Sequence, residues 1–301
     1  MSQPMPLFTG LSAFRLTPAD PSGRVDIEAL QRLLERIVDG GAQSIGLLGS
    51  TGIYMYLPRA ERRRAIEAAA EVVGGRLPVI VGVGSLRTDE AMANASDAEK
   101  AGADALLLAP VSYTPLTQDE ALEHYRAVAS ATGLPLCIYN NPSTTRFTFG
   151  EDLLGRLAAH PGIKAVKMPL PGDGDFSGEI GRLRANAPAD FAIGYSGDWG
   201  AAAAMLAGAD CWYSVVGGLL PRPAAALAKA AMAGDRAETA RLDLAFSPLW
   251  DLFKTHGSLR VIYAAAGLLG LSRADPPRPL LPLSPAIVAE IEAAIAAIGE
   301  T

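Results

Sequence analysis

Short, almost continuously apolar runs alternate with longer helical stretches along most of the chain. Runs without a polar face are typical of strands that are buried on both sides of a parallel sheet. The stretches between them are rich in Ala, Leu, Glu and Arg, as in 58–73 and 117–131. Eight strands are predicted, at 7–14, 44–48, 78–83, 105–109, 135–140, 163–167, 191–195 and 211–216. Strict alternation favours an α/β fold of the (β/α)8 TIM barrel type, although counting strands leaves an open sheet possible.

The pattern changes after residue 220, where strands cease and only helical periodicity remains. Four helices are predicted there, at 221–233, 235–254, 256–271 and 285–298. The first would complete the barrel, and the other three would form an appendage. We therefore expect a catalytic barrel at residues 1–233 and a C-terminal helical appendage at 234–301.

A Gly-Ala-Gln/Asp sequence recurs just before three predicted strands, beginning at Gly41, Gly102 and Gly208. Glycine after a helix allows the left-handed C-terminal cap from which the chain can turn into a strand. The recurrence indicates a common helix-to-strand joint.

Composition narrows the class of protein. Half of the 301 residues are hydrophobic and the net charge is −6, with no basic run of the kind that binds nucleic acid. No apolar run is long enough to span a bilayer, and the N-terminus lacks the features of a signal peptide. Cys137 and Cys211 lie inside apolar runs, which predicts buried free thiols. We expect a cytoplasmic protein with no nucleic-acid or membrane partner.

In barrels of this type the reacting groups lie at the C-terminal ends of the strands. The second strand ends in a turn, Gly49–Gly52, whose two hydroxyls and backbone N–H groups could bind a carboxylate or a phosphate, or could form a plain turn. The fifth strand ends at Tyr139, whose phenol could relay protons or could simply fill the barrel mouth.

The sixth predicted strand contains the clearest candidate for a catalytic residue. Of five lysines, three lie on predicted helices, while Lys164 and Lys167 share this strand at odd spacing and so point to opposite faces. Lys167 is the last residue of the strand. A lysine that projects into a barrel mouth among apolar neighbours loses hydration, which favours the neutral, nucleophilic amine.

Glycines near the ends of strands seven and eight leave two interpretations open. Gly197, Gly217 and Gly218 could build a phosphate site or could give a small substrate close access to the backbone. No metal site is expected, because the three histidines are scattered and none lies at ligand spacing.

Together, these strand ends resemble the dihydrodipicolinate synthase and N-acetylneuraminate lyase family over the whole chain. The resemblance rests on Gly49–Gly52, on Tyr139-Asn140-x-Pro142, on the strand that ends at Lys167, and on Ser196-Gly197-Asp198. It implies a TIM barrel with three extra C-terminal helices, a covalent imine on a lysine, no cofactor, and a homotetramer.

The resemblance also implies a role for each matching residue. Lys167 would attack the ketone of pyruvate, and Thr51 with the nearby Gly52 would hold the pyruvate carboxylate. Tyr139 would shuttle protons, and Ser50 would connect its phenol to a relay.

Further substrate contacts are implied at the other strand ends. Tyr213 would offer its backbone carbonyl to the bound pyruvate, and Gly197 and Asp198 would border the substrate.

The sequence departs from the family pattern at three places. Ile53 replaces a common glutamate. Ser112 stands where synthases place a tyrosine from the neighbouring subunit, so Tyr113 is expected to substitute for it or the relay is shorter. Thr144 replaces an arginine that binds the carboxylate of the aldehyde substrate. Arg146 follows two residues later, on the same side if the chain is extended.

The leading hypothesis is an imine-forming lyase or aldolase that acts on pyruvate or a related 2-oxo acid, together with an unidentified aldehyde. The alternative within the family is a genuine 4-hydroxy-tetrahydrodipicolinate synthase. Two alternatives lie outside it: a phosphate-binding barrel and a non-catalytic pyruvate-binding protein.

Overall fold

A closed barrel of eight parallel strands forms the centre of the computed structural model, which describes residues 7–299. Each strand pairs with the next along the chain, and the last pairs with the first. The predicted TIM barrel is therefore confirmed and an open sheet is excluded. The strands are β1 (Gly10–Phe14), β2 (Ser44–Leu47), β3 (Val79–Gly82), β4 (Ala105–Leu108), β5 (Leu136–Tyr139), β6 (Ile163–Met168), β7 (Ala192–Tyr195) and β8 (Cys211–Ser214).

Helices follow the strands and cover the outside of the barrel. Those within the alternating part are α1 (Ile27–Val38), α2 (Arg59–Val73), α3 (Thr88–Lys100), α4 (Gln118–Ser130), α5 (Pro142–Thr145), α6 (Glu151–Ala158), α7 (Phe176–Ala185) and α8 (Asp198–Leu206). Short 3-10 helices lie at Tyr54–Tyr56 and Val216–Gly218. The predicted helices at 58–73 and 117–131 correspond to α2 and α4. A capping box formed by Thr117 and Glu120 fixes the start of α4.

Four helices close the described chain: α9 (Pro221–Met232), α10 (Arg236–His256), α11 (Ser258–Leu268) and α12 (Pro285–Ile298). They match the four predicted helices closely. The last three pack on one another, and α10 also packs against α8 and α9. The division into a barrel at 1–233 and an appendage at 234–301 stays a prediction. Within residues 7–299, no helix is both long enough and apolar enough to cross a membrane.

The three Gly-Ala-Gln/Asp joints share one conformation and one contact. Gly41, Gly102 and Gly208 all adopt positive φ angles, of 86°, 93° and 98°. The residue two places later accepts a hydrogen bond from the start of the preceding strand. These bonds run from Leu11 N to Gln43 Oε1 (2.7 Å), from Val79 N to Asp104 Oδ2 (2.8 Å) and from Ile193 N to Asp210 Oδ2 (2.7 Å). The joint thus ties neighbouring strands together at the N-terminal end of the barrel.

Side chains alternate between the barrel interior and the layer beneath the helices. The interior set is small and contains the aromatic residues Phe14, Tyr139 and Tyr213. It also contains Cys137 and Cys211, which are buried free thiols as predicted. The larger core lies between the strands and the helices.

Candidate active site

A cavity of about 910 Å³ opens at the C-terminal ends of the strands. Its lining includes Ser50 and Thr51 after β2, Tyr139 on β5 and Lys167 on β6. Of the described residues that line it, only Lys167 and Asp198 belong to the charged residue types Asp, Glu, Lys and Arg. The cavity lies where the reacting groups of barrel enzymes are found.

Lys167 is the buried lysine at the base of this cavity, with only 4% of its surface exposed. Its Nζ lies 4.2 Å from the ring centroid of Phe14 and 4.3 Å from that of Tyr139. Within residues 7–299 no carboxylate pairs with this amine. Lys164 faces the opposite side, where it forms an ion pair with Asp190 at 3.0 Å. The strand alternation thus separates one solvated lysine from one enclosed lysine.

Tyr139 lies directly beside Lys167 because the two residues are register partners on β5 and β6. Its phenolic oxygen accepts hydrogen bonds from Asn141 Nδ2 at 3.0 Å and, more weakly, from Ser50 Oγ at 3.4 Å. The phenol proton is therefore free to donate into the cavity. The same Asn141 amide also contacts Thr144 Oγ1 at 3.0 Å.

The turn after β2 holds two backbone donors without an acceptor. In the part of the chain that the structure describes, the N–H groups of Thr51 and Gly52 bond to no protein acceptor, although both residues are buried. A Cβ at Gly52 would lie only 2.9 Å from the backbone nitrogen of Gly49, so the turn tolerates only glycine there. Leu48 and Ile53 flank the turn with φ angles of 57° and 52°. Left-handed backbone at a β-branched residue is strained, and such strain tends to collect at functional sites.

Asp198 is a buried carboxylate that holds the loop after β8. It accepts hydrogen bonds from Trp212 Nε1 at 2.8 Å and from the backbone nitrogens of Val215 and Val216 at 3.1 Å. Burial raises the pKa of Asp198, and these donors oppose that effect. Gly197, which precedes it with a φ of 100°, also lines the cavity. The Asp198 side chain is thus occupied by the protein itself.

Tyr213 lies deeper than the sequence suggested. Its side chain is fully buried in the barrel interior, where its phenol lies 3.4 Å from Cys137 Sγ. Burial raises the pKa of the Tyr213 phenol well above its usual range. Its ring centroid lies 5.6 Å from Lys167 Nζ, so the side chain as well as the backbone is near the amine.

Arg146 and Thr144 do not share one side, and the expectation based on an extended chain was wrong. Residues 142–145 form the short helix α5, and Arg146 follows it with a φ of 58°. In helical geometry, residues two apart point in nearly opposite directions. Thr144 lines the cavity, whereas Arg146 is exposed and does not.

Tyr113 also lies apart from the cavity. It is 96% exposed, and the neighbouring Ser112 lines the cavity instead. Within one chain, Tyr113 therefore makes no contact with Tyr139 or Lys167.

Two residues of the site were not predicted from the sequence. Phe14, the last residue of β1, has its ring against Lys167 Nζ. The rule that strand ends carry the chemistry would have identified it, had the first strand been included. Asn141 belonged to the motif after β5, but its bond to the Tyr139 phenol depends on the turn into α5.

Comparisons with known proteins show the family of this chain. A model of the dihydrodipicolinate synthetase family matches residues 7–298. The 4-hydroxy-tetrahydrodipicolinate synthase of Acidiphilium cryptum is 33% identical over 296 residues, which cover 97% of this chain and 99% of the relative.

Solved structures extend the likeness to three dimensions. The dihydrodipicolinate synthase of Agrobacterium tumefaciens superposes with a TM-score of 0.96 at 62% identity, over 97% of this chain and 98% of that one. The chloride-inhibited dihydrodipicolinate synthase of Acinetobacter baumannii, solved with pyruvate, gives 0.89 at 29% identity over 97% and 99%. The chain therefore belongs to the dihydrodipicolinate synthetase family, and it is a lyase of the class I aldolase type.

Proposed function

We propose that this lyase forms an imine between Lys167 and pyruvate or a closely related 2-oxo acid. The observation that carries the proposal is a buried amine at the base of the cavity, without a carboxylate partner among residues 7–299. A lysine shielded from water and from counter-ions is suited to nucleophilic attack on a ketone. The pyruvate complex of the Acinetobacter baumannii relative supports the choice of 2-oxo acid.

The turn after β2 would bind the carboxylate of the 2-oxo acid. The N–H groups of Thr51 and Gly52 are buried and lack protein acceptors, which is the arrangement that anions fill in backbone anion sites. The Thr51 hydroxyl would add a third donor. Gly52 is required here because a side chain would collide with the backbone of Leu48 and Gly49.

Tyr139 would move the protons. Imine formation expels the ketone oxygen as water, so that oxygen must receive two protons. The Tyr139 phenol accepts from Ser50 and Asn141 and keeps its own proton for donation. The protonated imine then draws electrons from the adjacent carbon, so the proposed chemistry needs no further cofactor. Within residues 7–299, no group of three or more His, Cys, Asp or Glu side chains could hold a metal ion.

The rival phosphate-binding function is disfavoured by the loop after β8. Its N–H groups are already used: those of Val215 and Val216 donate to Asp198, and that of Gly217 donates to Ser214 Oγ at 2.9 Å. A phosphate would have to displace these bonds. The non-catalytic pyruvate-binding alternative is disfavoured because the chain belongs to a family of class I aldolase-type lyases.

The second substrate, in our proposal, is an uncharged aldehyde that carries hydroxyl groups. The described lining has no arginine, and its rim is rich in hydroxyl and amide groups from Ser112, Asn141, Ser143, Thr144 and Ser196. Several neutral donors and acceptors suit a sugar-derived aldehyde. The carboxylate of aspartate semialdehyde would lack a cationic partner near Thr144. The relatives named 4-hydroxy-tetrahydrodipicolinate synthase keep that activity as the alternative.

We also propose that the protein is a homotetramer. Tyr113, almost fully exposed in the single chain, would then lie near a subunit contact. This would give Tyr113 the relay position that it does not reach within one chain.

Borohydride trapping tests the imine. Incubation with pyruvate and borohydride should add a pyruvate-derived mass to the peptide that contains Lys167, and Lys167→Ala should abolish the adduct. Lys164→Ala is the matched control on the same strand and should trap normally, because Lys164 is paired with Asp190 outside the barrel. An adduct on Lys164, or none with any 2-oxo acid, would contradict the proposal.

A substrate panel tests the aldehyde. Wild-type protein should condense pyruvate with glyceraldehyde faster than with aspartate semialdehyde. Thr144→Arg should raise kcat/KM for aspartate semialdehyde by about tenfold or more, because a guanidinium binds a carboxylate through charge-assisted bonds. Arg146→Ala should change neither reaction, since Arg146 lies outside the cavity. Efficient condensation of aspartate semialdehyde by both wild type and Arg146→Ala would overturn this choice of substrate.

A further inference from the structure

Three aromatic rings surround the Lys167 amine. Its Nζ lies 4.2 Å from the Phe14 ring centroid, 4.3 Å from that of Tyr139 and 5.6 Å from that of Tyr213. All three distances fall within the range of about 6 Å over which a ring face attracts a cation. Phe14 and Tyr213 also meet edge to face, with centroids 5.9 Å apart and an interplanar angle of 76°. We call these three residues the aromatic box.

The barrel makes room for two of these rings with interior glycines. A Cβ at Gly46 would come within 2.3 Å of the Phe14 ring, and one at Gly49 within 2.8 Å. On the other side, a Cβ at Gly194 would come within 2.5 Å of the Tyr213 ring. The glycines on β2 and β7 and in the turn after β2 therefore allow the large rings of β1 and β8 to lie against the amine.

The aromatic box occupies the surroundings of Lys167 Nζ, where an anion would otherwise be expected to balance a positive charge. Within residues 7–299, the titratable groups that face Lys167 are Tyr139 and Cys137 on β5 and Tyr213 and Cys211 on β8. Burial raises the pKa of Cys137 to about 12 and also raises the pKa values of Cys211 and Tyr213, which keeps these groups neutral.

The single carboxylate in the described lining of the cavity does not change this balance. Asp198 lines the cavity, but its oxygens accept from Trp212 and from the loop after β8. A cation on the Lys167 nitrogen thus has ring faces rather than anions as its neighbours.

Imine formation creates such a cation. The neutral amine lone pair forms a bond to the ketone carbon, the carbon–oxygen bond breaks, and the oxygen leaves as water. The departing oxygen receives the equivalent of the two amine protons. The imine nitrogen takes one proton from the medium, and the iminium therefore carries a full positive charge. We propose, building on the imine chemistry above, that the faces of Phe14 and Tyr213, together with Tyr139, stabilise this iminium cation in place of a carboxylate. In this proposal Phe14 and Tyr213 take no part in bond formation; their rings position the Lys167 nitrogen and stabilise its positive charge.

Progressive fluorination of Phe14 tests the box, because fluorine weakens the negative face of the ring with little change in shape. At one fixed pH, the pyruvate adduct is trapped in parallel with cyanoborohydride, which reduces only the protonated imine, and with borohydride, which also reduces the neutral imine. Intact mass gives both trapping rates for Phe14 and its mono-, di- and trifluoro forms. Because a weaker ring face stabilises the iminium less, each added fluorine should lower the cyanoborohydride rate relative to the borohydride rate, by about twofold to thirtyfold over the series.

A packing role would give a different result. Phe14→Leu keeps apolar volume and removes the ring, and it should behave like the trifluoro form. Phe8→Leu is the matched control, since Phe8 belongs to the same interior cluster and no Phe8 contact to Nζ is present within residues 7–299. Loss in Phe14→Leu without any effect of fluorination, or an equal fall in the two trapping rates, would overturn the box. Failure of wild-type protein to trap any 2-oxo acid would instead overturn the imine function itself.

Discussion

Two buried arginines, Arg15 and Arg62, differ in how well their guanidinium groups are hydrogen bonded. Arg15 is 1% exposed, and its Nε and Nη2 have no hydrogen-bond partner among residues 7–299. Burial lowers the pKa of Arg15 to about 9. Arg62 is also buried, with 9% of its surface exposed, but it donates to the carbonyl oxygens of Leu57 and Gly84 at 3.3 and 2.9 Å and lies over the Tyr54 ring. Donors that are buried without acceptors are costly, whereas satisfied ones are not.

Replacing each arginine by methionine should therefore have opposite effects. Arg15→Met should raise the free energy of unfolding by about 1–3 kcal/mol, because it removes an unpaired buried charge. Arg62→Met should lower it by a similar amount, because it leaves two carbonyl oxygens without donors. Urea denaturation monitored by circular dichroism measures both. Destabilisation by Arg15→Met would show that its guanidinium is fully hydrogen bonded in solution.

At the scale of elements, the recurrent Gly-Ala-Gln/Asp joint before β2, β4 and β8 links each of these strands to the preceding strand through a side-chain hydrogen bond. In each joint a glycine with a positive φ follows the helix. The Gln or Asp two residues later accepts a hydrogen bond from the N–H of the first or second residue of the preceding strand. Strand starts in a closed barrel have few other partners at that end, so the side chain completes the backbone hydrogen bonding.

The joint should contribute measurably to stability. Asp104→Ala removes the acceptor for Val79 N and should lower the free energy of unfolding by about 1.5–3 kcal/mol, the usual value for a bond to a charged group. Asp190→Ala is the matched control, because its ion pair with Lys164 is exposed and should contribute little. Equal urea midpoints for the two variants would mean that the joint positions the strands without stabilising them.

For the molecule as a whole, two neighbouring loops expose large hydrophobic residues. Leu86 after β3 is 58% exposed, and Tyr113 after β4 is 96% exposed. Because β3 and β4 are adjacent, these loops lie on one side of the barrel mouth. Exposed hydrophobic residues grouped in this way are typical of protein–protein contacts.

We expect self-association through these loops. The double variant Leu86→Ser/Tyr113→Ser should shift the protein to a smaller species in sedimentation velocity at micromolar concentration, because it removes apolar surface from the contact. Leu244→Ser is the control, since Leu244 is 72% exposed on α10, away from these loops. A wild-type monomer under these conditions would leave Tyr113 without a role in the relay.

The sequence by itself determined the eight strands, their alternation with helices and the position of Lys167 at the end of β6. Apolar runs mark strands wherever both faces are buried, and the odd spacing of Lys164 and Lys167 separates the two faces of β6, because both patterns are local consequences of backbone geometry. The left-handed glycines of the joints follow from the same local rules.

The tertiary structure alone decided which side chains meet at that lysine. Phe14 and Tyr213 reach the amine only because β1 and β8 close the barrel and interior glycines leave space for their rings. Arg146 lies outside the cavity because residues 142–145 form α5, and Asp198 accepts hydrogen bonds from the loop after β8 because α8 and that loop are brought together. Periodicity along a chain reports whether a residue is buried, whereas contacts between distant strands depend on closure and register, which the pattern of one strand does not contain.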